Sequence, residues 1–176
     1  MMSFETLLRN RRSIRKYTDK KIPTAIVQKI TTAALMSPAS KRSNPWEFVV
    51  VQDSEMLQKL SESREHGSRM LAGAPLAIVV AADTTKSDVW FEDASIAATI
   101  IQLQAEDLGL GSCWIQIYNR EKEENVSSES YVKKLLKIPD EFSVLCIISI
   151  GYKDEEKKPH DLEKLAYTKI HLEMFK

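Results

Sequence analysis

Four apolar runs of strand length, separated by segments with helical spacing, constrain the fold of this chain most. The runs cover residues 48–51, 76–82, 112–117 and 142–150, and the longest helical segment between them covers about 89–108. Apolar strands that alternate with helices form layered domains in which helices cover a sheet. The pattern therefore predicts an α/β or α+β domain, and it leaves open the number of strands and their relative direction.

Shorter helices are predicted around these runs. The first carries Phe4, Leu7 and Leu8 on one face, and the second has Pro23 in its first turn and ends before Pro38. A third helix begins at a cap near residue 53, and a fourth covers about 131–136. From Gly151 onward the chain is charged and loses its periodicity, so residues 152–176 are predicted to form an extended arm of a single domain, 1–176.

The charge balance and the cysteines exclude several classes of protein. Lys plus Arg and Asp plus Glu both number 25, whereas nucleic-acid binding depends on a basic excess. The apolar runs are far shorter than a membrane span, and the start of the chain does not resemble an export signal. Cys113 and Cys146 lie in apolar runs, which is typical of buried thiols in the cytoplasm. We expect a cytoplasmic protein that binds neither membrane nor nucleic acid.

A basic cluster follows the first helix. Arg11, Arg12 and Arg15 surround Ser13 and Ile14, and guanidinium and hydroxyl donors at such spacing suit a phosphomonoester. The alternative is a solvated helix end, where cations favour the helix dipole. Taken by itself, the cluster is compatible with either interpretation.

Other familiar chemical motifs are missing from the sequence. Gly109 and Gly111 follow a helix and precede a strand, the reverse of the dinucleotide-binding order, so they are better explained as a helix end. His66, His160 and His171 are too far apart for a metal-ligand pattern, and no serine stands in a Gly-x-Ser-x-Gly elbow. We therefore expect no bound metal, and a triad built on a nucleophile elbow is not indicated.

Five sequence pieces, in order along nearly the whole chain, resemble the nitroreductase family of FMN-dependent oxidoreductases. They are Arg-Arg-Ser-Ile-Arg-Lys-Tyr followed by Ile22-Pro23, Ser-Pro-Ala-Ser-Lys-Arg-Ser-Asn-Pro-Trp-Glu-Phe, Gly73-Ala74-Pro75, Leu-Gly-Leu-Gly-Ser-Cys-Trp, and a final Ile-Gly-Tyr with a lysine-proline arm. The chain departs from the usual family form at Arg42, where asparagine is common, and at Asn44, where glutamine is frequent.

The resemblance implies a fold, a cofactor and a set of site residues. The fold is α+β, a three-layer α-β-α sandwich with a mixed, mostly antiparallel sheet, in a homodimer whose C-terminal arm packs on the partner. The first motif holds the FMN phosphate and ribityl chain, the loop after the second helix contacts the flavin from the partner subunit, and the strand after Leu-Gly-Leu-Gly offers backbone groups to the ring. His66 is a weaker candidate near the ring edge. The expected cofactor-binding residues are Arg11, Arg12, Ser13, Arg15, Pro38, Ala39, Ser40, Asn44, Ile115, Gln116, Ile117 and either Lys157 or Lys158 from the arm.

The implied activity is hydride transfer from NAD(P)H through FMN to a nitroaromatic, quinone or similar acceptor, without a catalytic side-chain acid or base. The identity of the acceptor and the choice between NADH and NADPH stay open. The alternatives are a flavin-fragmenting or dehalogenating member of the family, a flavin-holding or regulatory binding protein, and a module for another anionic partner. Independently, the apolar circumference of the 89–108 helix favours a dimer, although a helix buried within one chain would explain it too.

Overall fold

A computed structural model describes residues 3–175 of the 176-residue chain; Met1, Met2 and Lys176, the ends of the expected domain, lie outside the described residues. The four apolar runs all form strands, and the helical segments all form helices. The described helices are α1 (Phe4–Asn10), α2 (Thr24–Leu35), α3 (Ser54–Leu60), α4 (Trp90–Asp107) and α5 (Ser128–Leu136). The strands are β1 (Trp46–Val51), β2 (Leu76–Asp83), β3 (Gly111–Gln116), β4 (Glu121–Glu123), β5 (Val126–Ser127) and β6 (Phe142–Gly151).

The main sheet contains four antiparallel strands in the order β1-β2-β6-β3. The central strands β2 and β6 are almost wholly buried, whereas β1 and β3 are the outer strands. A parallel contact occurs as an isolated bridge between Ser13 and Ser112, beside the start of β3. The structure confirms the expected α+β class.

Helices cover both faces of this sheet. On one face α2 and α4 bury Ile30 and Ile101 against β6 residues such as Ile148. On the other face, Leu57 of α3 and Val132 of α5 pack with Ile147 of β6. Successive strand side chains point to opposite faces, and burying each large apolar side chain contributes about 1.5–3 kcal/mol. The expected three-layer sandwich is confirmed.

The end of α4 shows what the Gly109-Leu110-Gly111 sequence does. Gly109 has a left-handed backbone with φ of 75°, and the Leu110 N–H donates to the Ala105 carbonyl at 2.9 Å. This bond pattern is a glycine-terminated helix end, in agreement with the interpretation from sequence. The turn carries the chain directly into β3.

Two features were not predicted. The small hairpin β4–β5 has a polar sequence without alternation, and Asn125 forms its turn with φ of 62°. Helix α5 begins at Ser128, earlier than expected, because the Ser127 hydroxyl accepts the Ser130 N–H at its start. None of the described helices combines the length and apolar character that crossing a bilayer requires.

Candidate flavin-binding site

The basic segment, residues 11–15, lies against the start of β3. The Ile14 N–H donates to the Ser112 carbonyl at 2.9 Å, and the Ile14 side chain is buried. A Cβ on Gly111 would lie 2.7 Å from the Ile14 Cβ, so the absence of a side chain there permits this approach. The buried isoleucine anchors the segment, while Arg15 beside it is exposed.

The first part of the C-terminal arm runs antiparallel to residues 9–17. An isolated antiparallel bridge starts this pairing, and hydrogen bonds continue it as far as the end of α1. The contacts are the Tyr17–Lys153 bridge, the Asp154 N–H to the Lys16 carbonyl at 3.0 Å, the Arg12 guanidinium to the Lys158 carbonyl, and the His160 N–H to the Arg9 carbonyl at 2.8 Å. The arm thus closes over the basic segment.

The Glu155 side chain connects the arm to the basic segment. One carboxylate oxygen accepts the Arg15 N–H at 2.5 Å and the Lys16 N–H at 3.3 Å, and the other lies 2.7 Å from the Lys157 Nζ. The Lys157 ammonium and the Arg15 N–H lower the pKa of Glu155 from 4.5 to about 2. An ionised Glu155 therefore holds Lys157 beside the basic segment.

A second ion pair ties the arm to α4. The Lys153 Nζ lies 2.7 Å from one oxygen of Glu106 and 2.8 Å from the other, and Glu106 is buried. A buried carboxylate requires such a partner, because an unpaired buried charge is strongly destabilising. The beginning of the arm is therefore held on the end of α4 that leads into β3.

A cleft of about 730 Å³ lies between the basic segment and the arm. Burial raises the pKa of the nearby Cys113 thiol, while the charges of Arg15 and Arg11 oppose the rise. Two candidate residues, Arg12 and Lys157, line this cleft, whereas Arg11, Ser13 and Arg15 lie on the same basic segment outside its lining. Lys158 instead contributes its main-chain carbonyl to the Arg12 contact. The cleft is lined by Asn10, Arg12, Ile14, Lys153, Asp154, Glu155, Glu156 and Lys157.

The backbone of β3 presents polar groups at its outer edge. The Ser112 carbonyl accepts from Ile14 on the side away from β6, whereas the Ile117 N–H donates to the Leu145 carbonyl at 3.0 Å on the β6 side. Because peptide groups alternate sides along a strand, the N–H of Gln116 points to the outer edge. The strand therefore connects the basic segment with an outward donor at its far end.

The other two candidates on β3 have a different environment. Ile115 and Ile117 have buried side chains in the core cluster of the α3 and α5 face. The Gln116 side chain accepts from the Trp114 Nε1 at 2.9 Å and donates to the Tyr118 carbonyl at 3.1 Å. Of the three candidates, Gln116 alone directs its main-chain N–H away from the sheet.

The loop with Pro38, Ala39, Ser40 and Asn44 lies elsewhere in the chain. It precedes β1, the strand at the opposite edge of the sheet from β3. Three strand spacings separate these edges by about 14 Å. Within one copy of the chain, the Ser40 N–H of this loop contacts Asp93 of α4.

His66 stays apart from the other candidates. Its side chain is largely exposed and lies 3.7 Å from Glu65 on the segment after α3. Across residues 3–175, His, Cys, Asp and Glu side chains nowhere gather in threes that could hold a metal ion. The site chemistry thus depends on cations and main-chain donors.

Two acidic residues that the sequence did not single out hold these elements in place. Glu155 stood in a run of charged residues that predicts only a solvated arm. Asp93 lies 3% exposed on α4 and contacts the loop before β1. The sequence feature that could have indicated a role for Asp93 is its place among the apolar positions of the long helix, where a charged side chain needs a partner.

Three comparisons place the chain among known proteins. The nitroreductase family model matches residues 8–66 and 59–152. A protein of Archaeoglobus fulgidus, named as an NADH dehydrogenase/NAD(P)H nitroreductase, is 38% identical over 172 residues, covering 95% of each chain. An FMN-dependent nitroreductase of Clostridium difficile R20291 is 52% identical with a TM-score of 0.95, over 96% of this chain and 98% of the other. A structure from Clostridium acetobutylicum, named as an NADH oxidase, is 33% identical with a TM-score of 0.86, over 96% and 99%.

Proposed function

We propose that this chain, which belongs to the nitroreductase family, is an oxidoreductase that uses FMN and a reduced nicotinamide nucleotide. The electron acceptor is a nitroaromatic, a quinone or a similar small aromatic molecule. The observation that carries the proposal is the docking of the basic segment on the start of β3, which brings the main chain of this arginine-bearing segment to the outer edge of that strand. The similarity to an FMN-dependent nitroreductase supports the choice of cofactor.

The donors of the basic segment and of the arm fit the phosphate of FMN. Arg11, Arg12 and Arg15 supply planar donors, Ser13 supplies a hydroxyl, and Lys157 supplies an ammonium from the arm. Guanidinium groups match phosphate oxygens in charge and geometry, and charge-assisted hydrogen bonds are stronger than neutral ones. Glu155 holds Lys157 in position, so we assign the arm's contribution to Lys157 and not to Lys158.

The outer edge of β3 fits the flavin ring. From Ser112 to Gln116 the strand extends about 13 Å, a reach that leads from the phosphate end toward a ring at the far end. Bound FMN would supply the hydride-accepting and hydride-donating chemistry. The Gln116 N–H, pointing outward, would donate to the ring edge and stabilise negative charge there. Hydride transfer needs no side-chain acid or base from this chain.

A homodimer completes the proposed site. The family resemblance implies that the loop of residues 38–44 reaches the flavin from a second copy, and in its own chain this loop precedes the strand at the edge of the sheet opposite to β3. On α4, Phe91 and Ile96 remain 39% and 41% exposed, so one chain does not cover this helix. The arm supports the same arrangement because apolar side chains along it, including Leu165, Ile170 and Phe175, are exposed. We propose that the part of the arm after His160 packs on the partner, whereas residues 153–160 pair with residues 9–17 of their own chain.

The cellular setting follows from the cofactors and the thiols. NAD(P)H is a cytoplasmic reductant, and the two cysteines of the chain are free and buried. Free thiols persist in a reducing compartment. We therefore propose that the protein acts in the cytoplasm.

A spectroscopic test separates this function from its rivals. The protein, purified and reconstituted with FMN, is titrated anaerobically with NADH and with NADPH while flavin absorbance is followed. Bleaching, followed by recovery of the colour on adding a nitroaromatic or a quinone, is the expected result. A yellow protein that neither nucleotide bleaches would be a flavin-binding protein, and failure to bind FMN would leave an anion-binding module.

The dimer is tested separately by mass. Light scattering at micromolar concentration should report twice the chain mass for the wild type. Replacing the exposed Ile96 with glutamate should shift the mass toward one chain, whereas replacing the exposed Glu92 with glutamine should not. A monomeric wild type would overturn the two-copy site.

A further inference from the structure

Asp93 is a buried carboxylate in the first turn of α4, followed by the buried Ala94, Ala97 and Ala98. Its Oδ1 accepts the Ser40 N–H at 2.8 Å, and its Oδ2 accepts the Ser87 hydroxyl at 2.9 Å. Both partners are donors, and an ionised carboxylate offers an acceptor at each oxygen. The side chain therefore joins three parts of the chain: α4, the turn before it, and the loop before β1.

The loop that Asp93 contacts has an unusual backbone. Lys41, Arg42 and Asn44 all have positive φ angles, of 52°, 56° and 42°. Side chains with a Cβ disfavour this conformation, and arginine and lysine lack the short polar group that eases it for asparagine. Such backbone persists only where surrounding contacts impose it.

The contacts available to impose this conformation differ in strength. Lys41 pairs with Asp88 at 3.1 Å, but both side chains are about three-quarters exposed, so the pair contributes little. The Ser43 hydroxyl donates to the Ser40 carbonyl within the loop itself. The Asp93 carboxylate is buried, and it contacts Ser40, which immediately precedes Lys41 and Arg42. It is thus the main link between the loop conformation and the protein core.

We propose that Asp93 is a positioning residue for the flavin site: it holds the Ser40–Arg42 turn in the shape that meets FMN bound to the other subunit. This inference rests on the proposed function, because the loop matters for catalysis only if flavin lies against it. Asp93 itself contacts neither cofactor nor substrate. Its effect passes through the Ser40 N–H and the backbone that follows.

The first test measures the loop without any cofactor. Trypsin cuts after Lys41 and Arg42, and mass spectrometry identifies those cuts. In the cofactor-free protein, Asp93→Ala should raise the cleavage rate there about tenfold, because the opened loop becomes more populated when a charge-assisted hydrogen bond is lost. Asp93→Asn keeps one acceptor for Ser40 and should rescue most of the protection.

Matched variants control for charge and for folding. Glu92 lies in the same helical turn but is exposed, so Glu92→Ala removes the same charge and should leave the cleavage rate unchanged. Ser87→Ala removes one of the two donors and should raise cleavage to an intermediate rate. If Asp93→Ala does not fold, Asp93→Asn and Ser87→Ala still decide the matter. Wild-type cleavage rates in all folded variants would overturn the proposal.

The second test asks whether the loop positions the flavin. In the FMN-loaded protein, Asp93→Ala should shift the visible absorption or circular dichroism of the flavin and lower kcat several-fold, with the KM for NADH changed less. Unaltered spectra and kinetics, in a variant whose loop is cut faster, would leave Asp93 with a structural role alone and overturn the inference. A wild type that binds no FMN would instead overturn the proposed function, and the cleavage result would still stand.

Discussion

The two regions proposed to meet at the flavin are held in opposite ways. The basic segment is held by a main-chain ladder with the arm and by Glu155, whose ion pair with Lys157 is open to solvent on the lysine side. The loop before β1 is held by one buried carboxylate, Asp93, which contacts Ser40. The next residues, Lys41 and Arg42, have positive φ angles that side chains with a Cβ disfavour. In the first region, main-chain hydrogen bonds and an ion pair bring several cations together. In the second, a contact with a buried side chain fixes the conformation of a turn.

This difference matches what each region would do. A phosphate is bound by several charge-assisted donors, each of which contributes to the affinity. A flat ring needs a surface of defined shape, and a strained backbone held by a buried contact supplies one. We therefore expect substitutions in the basic segment to change cofactor affinity and those in the loop to change chemistry.

The largest effect should come from removing two guanidinium groups. The double variant Arg11→Ala/Arg15→Ala should weaken FMN binding about 10²- to 10⁴-fold, because each lost charge-assisted contact costs about 1.5–3 kcal/mol. Fluorescence titration of FMN measures this loss. Arg69→Ala, an exposed arginine outside the site, is the control. Unchanged affinity in the double variant would remove the phosphate assignment.

The two lysines of the arm offer a matched pair. Lys157→Ala should weaken FMN binding about tenfold, because it removes a cation and leaves the Glu155 charge facing the phosphate. Lys158→Ala should change the affinity by less than about twofold, since its carbonyl, not its ammonium, makes the contact to Arg12. Equal effects of the two substitutions would contradict the assignment of Lys157.

A smaller effect, on the stability of the fold, should come from removing the Glu155 carboxylate of the arm. The pKa of Glu155 in the folded protein is about 2, below its ordinary 4.5, so its ionised form stabilises the fold. That contribution is present above pH 4.5 and is lost as the pH falls toward 2. The urea midpoints of wild type and Glu155→Gln should therefore differ near neutral pH and converge on acidification. A gap that stays constant with pH would show that the charge of Glu155 has no such role.

The smallest effect concerns strain in the loop. Arg42 is exposed with φ of 56°, so Arg42→Gly should give a more stable protein than Arg42→Ala by up to about 1 kcal/mol. Alanine keeps the Cβ that disfavours this conformation and controls for loss of the arginine side chain. Urea unfolding measures the difference. If the alanine variant is at least as stable as the glycine variant, the loop is not strained at this residue.

Local patterns predicted most of the elements. Apolar runs of four to nine residues and the spacing of Ile26, Ile30 and Ala33 required only neighbouring residues, and the turn at Gly109 followed from a backbone angle that glycine tolerates. The hairpin β4–β5 escaped prediction because its charged sequence has no period. The order of the strands was decided by packing between distant residues, and the family resemblance implied only that the sheet is mostly antiparallel.

The site was predicted unevenly for the same reason. The arginines of the basic segment were visible because three donors stand within five residues. Glu155 contacts Arg15 across 140 positions and Asp93 contacts Ser40 across 53, so no local pattern joins either pair. Ile115 and Ile117 stood next to Gln116 in sequence, yet the direction of each peptide group depended on which edge of β3 pairs with β6.

By itself, the sequence determined the alternation of helices and strands, the cationic character of the segment after α1 and the turn at Gly109, since these depend on residues close together along the chain. Tertiary structure alone decided that the arm returns to the basic segment, that Gln116 turns its N–H outward, and that the Ser40 loop lies at the far edge of the sheet. Those outcomes arise from pairing between distant segments, where burial and hydrogen bonding select one arrangement among many that the same local patterns permit.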